Sequence, residues 1–261
     1  MIRVGIGGWT FAPWRDNFYP AKHPQAQELA YASRHVTAIE INGTFYRTQS
    51  AASFAKWREE TPDDFVFSVK GHRGVVNQRN LAEAAEAVAW FLGSGLLELR
   101  GKLGPLLWQM PPHKRFDATE IEAFFALLPR ERDGLRLTHA FEPRHETFVD
   151  PAFVDVARRA GVAIVYADSE KYPSIADQTG EVAYARLQNA AAGEPTGYPA
   201  AELDAWRLRA TQWAKGEPAT DLPHVGAPVR GEERPVFVFM INGAKERAPA
   251  AAMALIERLR R

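Results

Sequence analysis

Residues 38–60 read AIEINGTFYRTQSAASFAKWREE, and this stretch carries one complete structural unit. Ala38–Ile41 is a short apolar run interrupted by a single charge, Glu40. A polar cluster follows, and Ser50 then stands where a helix cap belongs, before Ala51–Glu60, which halts ahead of Thr61-Pro62. The same order recurs along the chain. The other apolar runs are Val4–Ile6, Phe65–Val69, Leu106–Met110, Leu135–Phe141, Val162–Ala167, Val182–Leu187 and Val236–Ile241, which makes eight. They are short and rich in branched or aromatic residues, so buried strands are expected.

The intervening helices have readable ends. Asp117 and Glu120 form a capping-box pattern, Asp150-Pro151 opens a helix, and Gly161 closes it. Gln25–Ser33, Leu81–Leu92, Glu202–Lys215 and Pro249–Leu259 complete the set. Between the sixth and seventh strands, Tyr172–Gly180 has room for only a short helical piece. Strands alternating with helices imply parallel pairing, and eight units in 261 residues suit a closed (β/α)8 barrel. The reading is therefore an α/β chain, a TIM-type barrel with a short or irregular sixth helix, forming one domain over residues 1–261. An open doubly wound sheet is the competitor.

Composition narrows the function. Thirty-two basic and 32 acidic side chains cancel, which removes the long-range field of a sequence-indifferent nucleic-acid binder. The absence of cysteine excludes disulfides, thiolate metal sites and thiol nucleophiles. No run approaches the ~20 apolar residues of a membrane span. The opening residues, Met1–Ile6, read as a strand and not as a secretory leader, so a cytoplasmic protein is expected.

The polar groups are placed unevenly. Nearly every strand runs into residues capable of chemistry: Trp9; Glu40, Asn42 and Tyr46; Lys70, His72 and Arg73; Gln109; Glu142, Arg144 and His145; Asp168; Arg186 and Gln188; and Asn242. In a barrel these strand ends share one rim, where the active site is built. Glu40, Glu142, Asp168 and His145 are the expected acid–base groups, because carboxylates beside cations and an imidazole are suited to moving protons. The remaining residues are the expected substrate contacts. Lys70, Arg73, Arg144 and Arg186 would attract an anion, with the carboxylates interleaved among them. For Glu40, a buried pair with Lys70 or Arg186 is the alternative to ligand contact. Trp9 and Tyr46 are candidates for stacking on a ring or sugar face, whereas Trp108, alternating with Gln109 in a core strand, is expected to be buried in the barrel.

Four segments resemble the signatures of the DUF72 (YecE-like) family: Gly5–Trp9, Glu40–Arg47, Lys102–Pro112 and Glu142–His145. The resemblance spans residues 3 to about 255 and implies a TIM-type barrel without implying a reaction. Lys70, Arg73, Glu142, Arg144, His145, Asp168 and Arg186 match the family pattern. Val76-Asn77, Arg186–Asn189 and Ile241-Asn242 depart from it, and two rim imidazoles that the family usually carries are missing. No cofactor is expected. A divalent metal is a weaker alternative, since no HxH, HxxxH or DxH spacing occurs. An enzyme of hydrolase, lyase or isomerase type acting on an anionic or sugar-like small molecule is the leading reading. A phosphodiesterase acting on nucleic acid and a non-catalytic ligand-binding protein are the alternatives.

Overall fold

In the computed structural model, eight strands close into a ring in which every neighbouring pair is parallel. They are β1 (Ile2–Gly7), β2 (Ala38–Ile41), β3 (Val66–Lys70), β4 (Leu103–Gln109), β5 (His139–Glu142), β6 (Ala163–Asp168), β7 (Ala183–Leu187) and β8 (Val236–Met240). Each pairs with the next, and β8 returns to β1, with Val4 opposite Val238. The structure describes residues 1–261, the side chain of Asp16 apart.

Around the ring lie α1 (Glu28–Ala32), α2 (Ala51–Glu60), α3 (Arg73–Val76), α4 (Ala85–Leu92), α5 (Ala118–Ala126), α6 (Pro151–Ala160), α7 (Ala200–Ala214) and α8 (Ala248–Arg260). The caps read from sequence are in place. Ser50, Asp117 and Asp150 accept backbone N–H groups of Ser53, Glu120 and Ala152, and Gly161 ends α6 at φ 66°. A Cβ on Gly5 would run into the Ala38 carbonyl, so glycine is what lets β1 approach β2 so closely. Among the described residues, no helix is long and apolar enough to cross a membrane.

Three expectations need correction. No helix forms between β6 and β7: residues 169–182 run as an irregular strap, long enough for a crossover but punctuated by Pro173 and Gly180. The fifth strand does not begin at Leu135, because Leu135-Arg136 pairs back on Glu131-Arg132 around Asp133-Gly134, both at positive φ. Leu81–Leu92 breaks at Ala84 into a 3-10 turn and α4. Trp108 is fully buried, as expected, on the outer face of β4 against Phe91 and Phe124, while Leu107 and Gln109 alternate inward.

Alternation along the strands produces two cores. Inside the ring sit Ala38, Leu107, Ala140, Val165, Tyr184 and Phe239. Outside it, a larger core of apolar side chains joins strands to helices. At the carboxyl end of the interior the apolar filling gives way to charge.

Candidate functional site

Parity decides which side chains meet. Glu40 follows Ala38 on the inner face of β2, Lys70 follows Ser68 on β3, and Gln109 follows Leu107 on β4. Glu142 follows Ala140 on β5, and Arg186 follows Tyr184 on β7. All five are buried, Glu40 and Glu142 completely. Ionised groups persist at such depth only when paired and hydrogen-bonded.

Arg186 is the hub. Its Nε and Nη2 each donate to Glu40 at 3.0 Å, and its Nη1 donates to Glu142 at 2.7 Å. Glu40 also accepts from the Tyr184 hydroxyl at 2.6 Å and from Asn42 Nδ2 at 2.9 Å, so both its oxygens are doubly occupied. Ser68 Oγ lies 2.7 Å from that hydroxyl and 2.9 Å from the Pro105 carbonyl oxygen. Burial, followed by the charge of Glu40, raises the Tyr184 pKa well above the ordinary phenol value, so it remains a donor.

A second branch runs through Glu142. Gln109 Nε2 donates to it at 2.8 Å, Arg144 Nε donates at 3.1 Å, and Lys70 Nζ donates to Gln109 Oε1 at 2.7 Å. Burial opposes the charge on Glu142, but Arg186, Arg144 and the Gln109 bond outweigh it and hold its carboxyl below the usual range. Glu142 is thus a fixed anion. Burial and the nearby Arg186 charge bring the Lys70 pKa down to about 8.

Lys70 is the member of this network with the fewest partners. Its three N–H bonds meet one neutral amide oxygen, with the Phe45 ring 4.3 Å away. Among the described residues, no carboxylate approaches it within 4.0 Å. Lys102, also buried, meets the Arg58 and Thr61 carbonyls and the Thr61 hydroxyl. The network holds three cations, Lys70, Arg144 and Arg186, against two carboxylates, an excess of one positive charge. Arg144 stands outermost, 15% exposed, with the Tyr172 ring 4.1 Å from its guanidinium.

Other expected site residues lie elsewhere. Asp168 shares the outward face of β6 with Tyr166, whose ring packs on Trp206 and Trp213 of α7, so it does not join the network. Burial and Glu202 nevertheless raise its pKa to about 6, against the pull of Arg209 and a bond to Asn189. His72 and His145 are both turned to capping: each Nδ1 accepts a backbone N–H two residues on, from Gly74 at 3.0 Å and from Thr147 at 3.2 Å. Arg73 and Tyr46 are exposed. Gln188 accepts from Asn242 at 3.4 Å, at the ends of β7 and β8. Trp9 packs edge-on against Trp57 and, with Asn42 and Gln49, lines a cleft of about 290 Å³. A neighbouring cleft of about 460 Å³ runs from Trp9 and Thr10 towards Lys56, and one of about 630 Å³ beside Arg136 and Arg234 opens at the opposite end of the barrel, away from these charges.

Tyr184, Ser68 and Tyr172 escaped the sequence reading. Tyr184 carried a signal, since it stands two residues before Arg186 on a strand and must share its face. Tyr172 carried none, because it lies in the strap.

Comparisons with known proteins agree with this architecture. The profile described as "Protein of unknown function DUF72" matches residues 3–261. UPF0759 protein YunF of Bacillus subtilis (strain 168) is 26% identical over 160 residues, which is 59% of this chain and 55% of that one. UPF0759 protein YecE of Escherichia coli (strain K12) is 27% identical over 151 residues, 57% and 50% of the two chains. The chain thus spans about half the length of the curated relatives it matches. A crystal structure of a DUF72 family protein from Thermotoga maritima MSB8 superposes with a TM-score of 0.75 at 20% identity, with complete coverage of both chains.

Proposed function

The chain belongs to the DUF72 family, and we propose that it is an enzyme acting on a small molecule bearing a carboxylate or phosphate, bound at the carboxyl rim of the ring. The observation that carries this reading is the unfilled ammonium of Lys70 beside the outermost guanidinium, Arg144. A buried cation whose donors lack acceptors is costly, and an anion at the mouth would relieve that cost and neutralise the excess charge. Arg144 would present its planar edge to the anion. Lys70, with a pKa brought close to neutrality, would carry the proton. Arg186, Glu40 and Tyr184 would hold the other groups in register. Glu142, fixed in its charged form, would orient Arg144 and Gln109 without itself exchanging protons.

The test is a thermal-melt series with inorganic phosphate, pyruvate and citrate at constant ionic strength. A ligand held at ten times its Kd adds about 1.4 kcal/mol to stability. At least one of these anions is expected to raise the midpoint, and Arg144→Ala is expected to abolish the shift. Indifference of the wild-type protein to all three would overturn the reading. A shift without turnover of the bound anion would leave a ligand-binding protein in place of an enzyme. Salt-dependent retention on DNA together with indifference to small anions would favour the nucleic-acid alternative.

A further inference from the structure

We propose that Lys70 forms an imine with the carbonyl carbon of a small α-keto acid whose carboxylate is held by Arg144. The proposal rests on the anion site described above and names its substrate class. Three observations carry it.

The first is the environment of the amine. Lys70 Nζ stands at the inner end of β3, beneath the Phe45 ring, with one neutral hydrogen-bond partner. Lys114, by contrast, is ion-paired with Glu120. Lys70 has no such anchor, and the surrounding charges are Arg186, Arg144, Glu40 and Glu142. Burial and the two guanidinium groups lower its proton affinity, which frees a fraction of the amine as a nucleophile near neutral pH.

The second is the fixed relation between amine and guanidinium. Lys70, Gln109, Glu142 and Arg144 form a continuous chain of hydrogen bonds of 2.7, 2.8 and 3.1 Å. The chain passes through two ring strands paired in register at Gln109 and Glu142, so the two cations cannot drift independently. In an α-keto acid the electrophilic carbon is bonded directly to the carboxylate carbon. Lys70, through Gln109, and Arg144, directly, are both linked to Glu142, so one cluster offers an amine and a guanidinium to a molecule that carries both a carbonyl and a carboxylate.

The third is the valence left on Arg144. It contacts Glu142 through Nε alone, and its Nη1 meets only the Tyr172 hydroxyl, at 3.4 Å. Among the described residues its Nη2 makes no hydrogen bond, which leaves that N–H pair for a carboxylate.

The step balances. The ammonium of Lys70 and the ketone give an iminium and one water: the C–N bond forms, the carbonyl C–O bond breaks, and two hydrogens leave nitrogen with the departing oxygen. The positive charge is conserved. The iminium then draws electrons from a bond on the adjacent carbon, which is the chemistry of carbon–carbon cleavage or condensation.

The experiment is reductive trapping of the full chain with pyruvate or glyoxylate and cyanoborohydride, read by intact mass and peptide mapping. One equivalent of reduced adduct on Lys70 is expected, and Lys70→Arg should lose it while keeping its melting midpoint. Adducts spread over surface lysines with Lys70 unmodified would overturn the proposal. If Lys70→Arg does not fold, the peptide map of the wild-type protein decides alone. Stabilisation by pyruvate without an adduct at Lys70 would defeat the imine and leave the anion site standing. Neither stabilisation nor adduct would defeat both.

Discussion

Glu40 and Arg186, 146 residues apart in sequence, meet through two hydrogen bonds of 3.0 Å inside the ring. Their contact depends on closure, because β2 and β7 are not neighbours and face each other only across a completed barrel. Arg186→Met would leave Glu40 and Glu142 buried without their shared guanidinium. Removing one member of such a pair costs about 3–5 kcal/mol. Urea unfolding should show a loss of that order, and a loss below about 1 kcal/mol would mean that the network does not hold the barrel mouth together.

His72 and His145 provide a separate check, since each caps a backbone N–H. His72→Ala and His145→Ala should each cost about 1 kcal/mol, whereas His72→Asn and His145→Asn, which retain a side-chain acceptor, should recover most of it. Response to phosphate or pyruvate should survive all four changes. Loss of that response in both asparagine variants would assign the imidazoles to the ligand and not to the backbone.

Asp168 supplies a pH signature. Its pKa is raised from 3.8 to about 6, burial first and Glu202 second, so the folded state binds its proton more tightly than the unfolded chain. The stability it contributes is full below pH 3.8, falls as pH rises through 6, and is flat above. Asp168→Asn should therefore gain on the wild type across that window, by about 1 kcal/mol once partial exposure is allowed for. Denaturation at pH 4.5 and 7.5 measures the difference. A gap that is constant between the two values would remove the titration from Asp168.

Much of the barrel could be read because each strand is a short apolar run bounded by cap or turn residues. The errors have local causes. Leu135–Phe141 looked like one strand because apolar residues recur along it, although Asp133-Gly134 already marked a hairpin. The sixth helix was anticipated from the repeat, but Pro173 and Gly180 leave the strap without the run of residues a helix needs. In the site, Glu40, Lys70, Gln109, Glu142 and Arg186 were all named from their strand-end positions, and the pairing of Glu40 with Arg186 was one of the two partners anticipated. Asp168 was grouped with them because position along a strand is visible in sequence, whereas its face is not: both faces of β6 are buried and apolar, so alternation gives no direction. The capping roles of His72 and His145 depend on the turn geometry after each strand, which residue type does not reveal.

On the proposed function, an anion at the mouth of the ring would neutralise Lys70. Selective ¹³C labelling of lysine, followed by a pH titration of the Lys70 side-chain resonance with and without phosphate, which forms no adduct with an amine, reads this out. Without ligand the resonance should titrate at about 8, well below the ordinary 10.5. A bound anion should move that midpoint upward, and Arg144→Ala should weaken the effect. A midpoint near 10.5 that phosphate leaves unaltered would show that Lys70 is an ordinary solvated lysine with no anion site beside it.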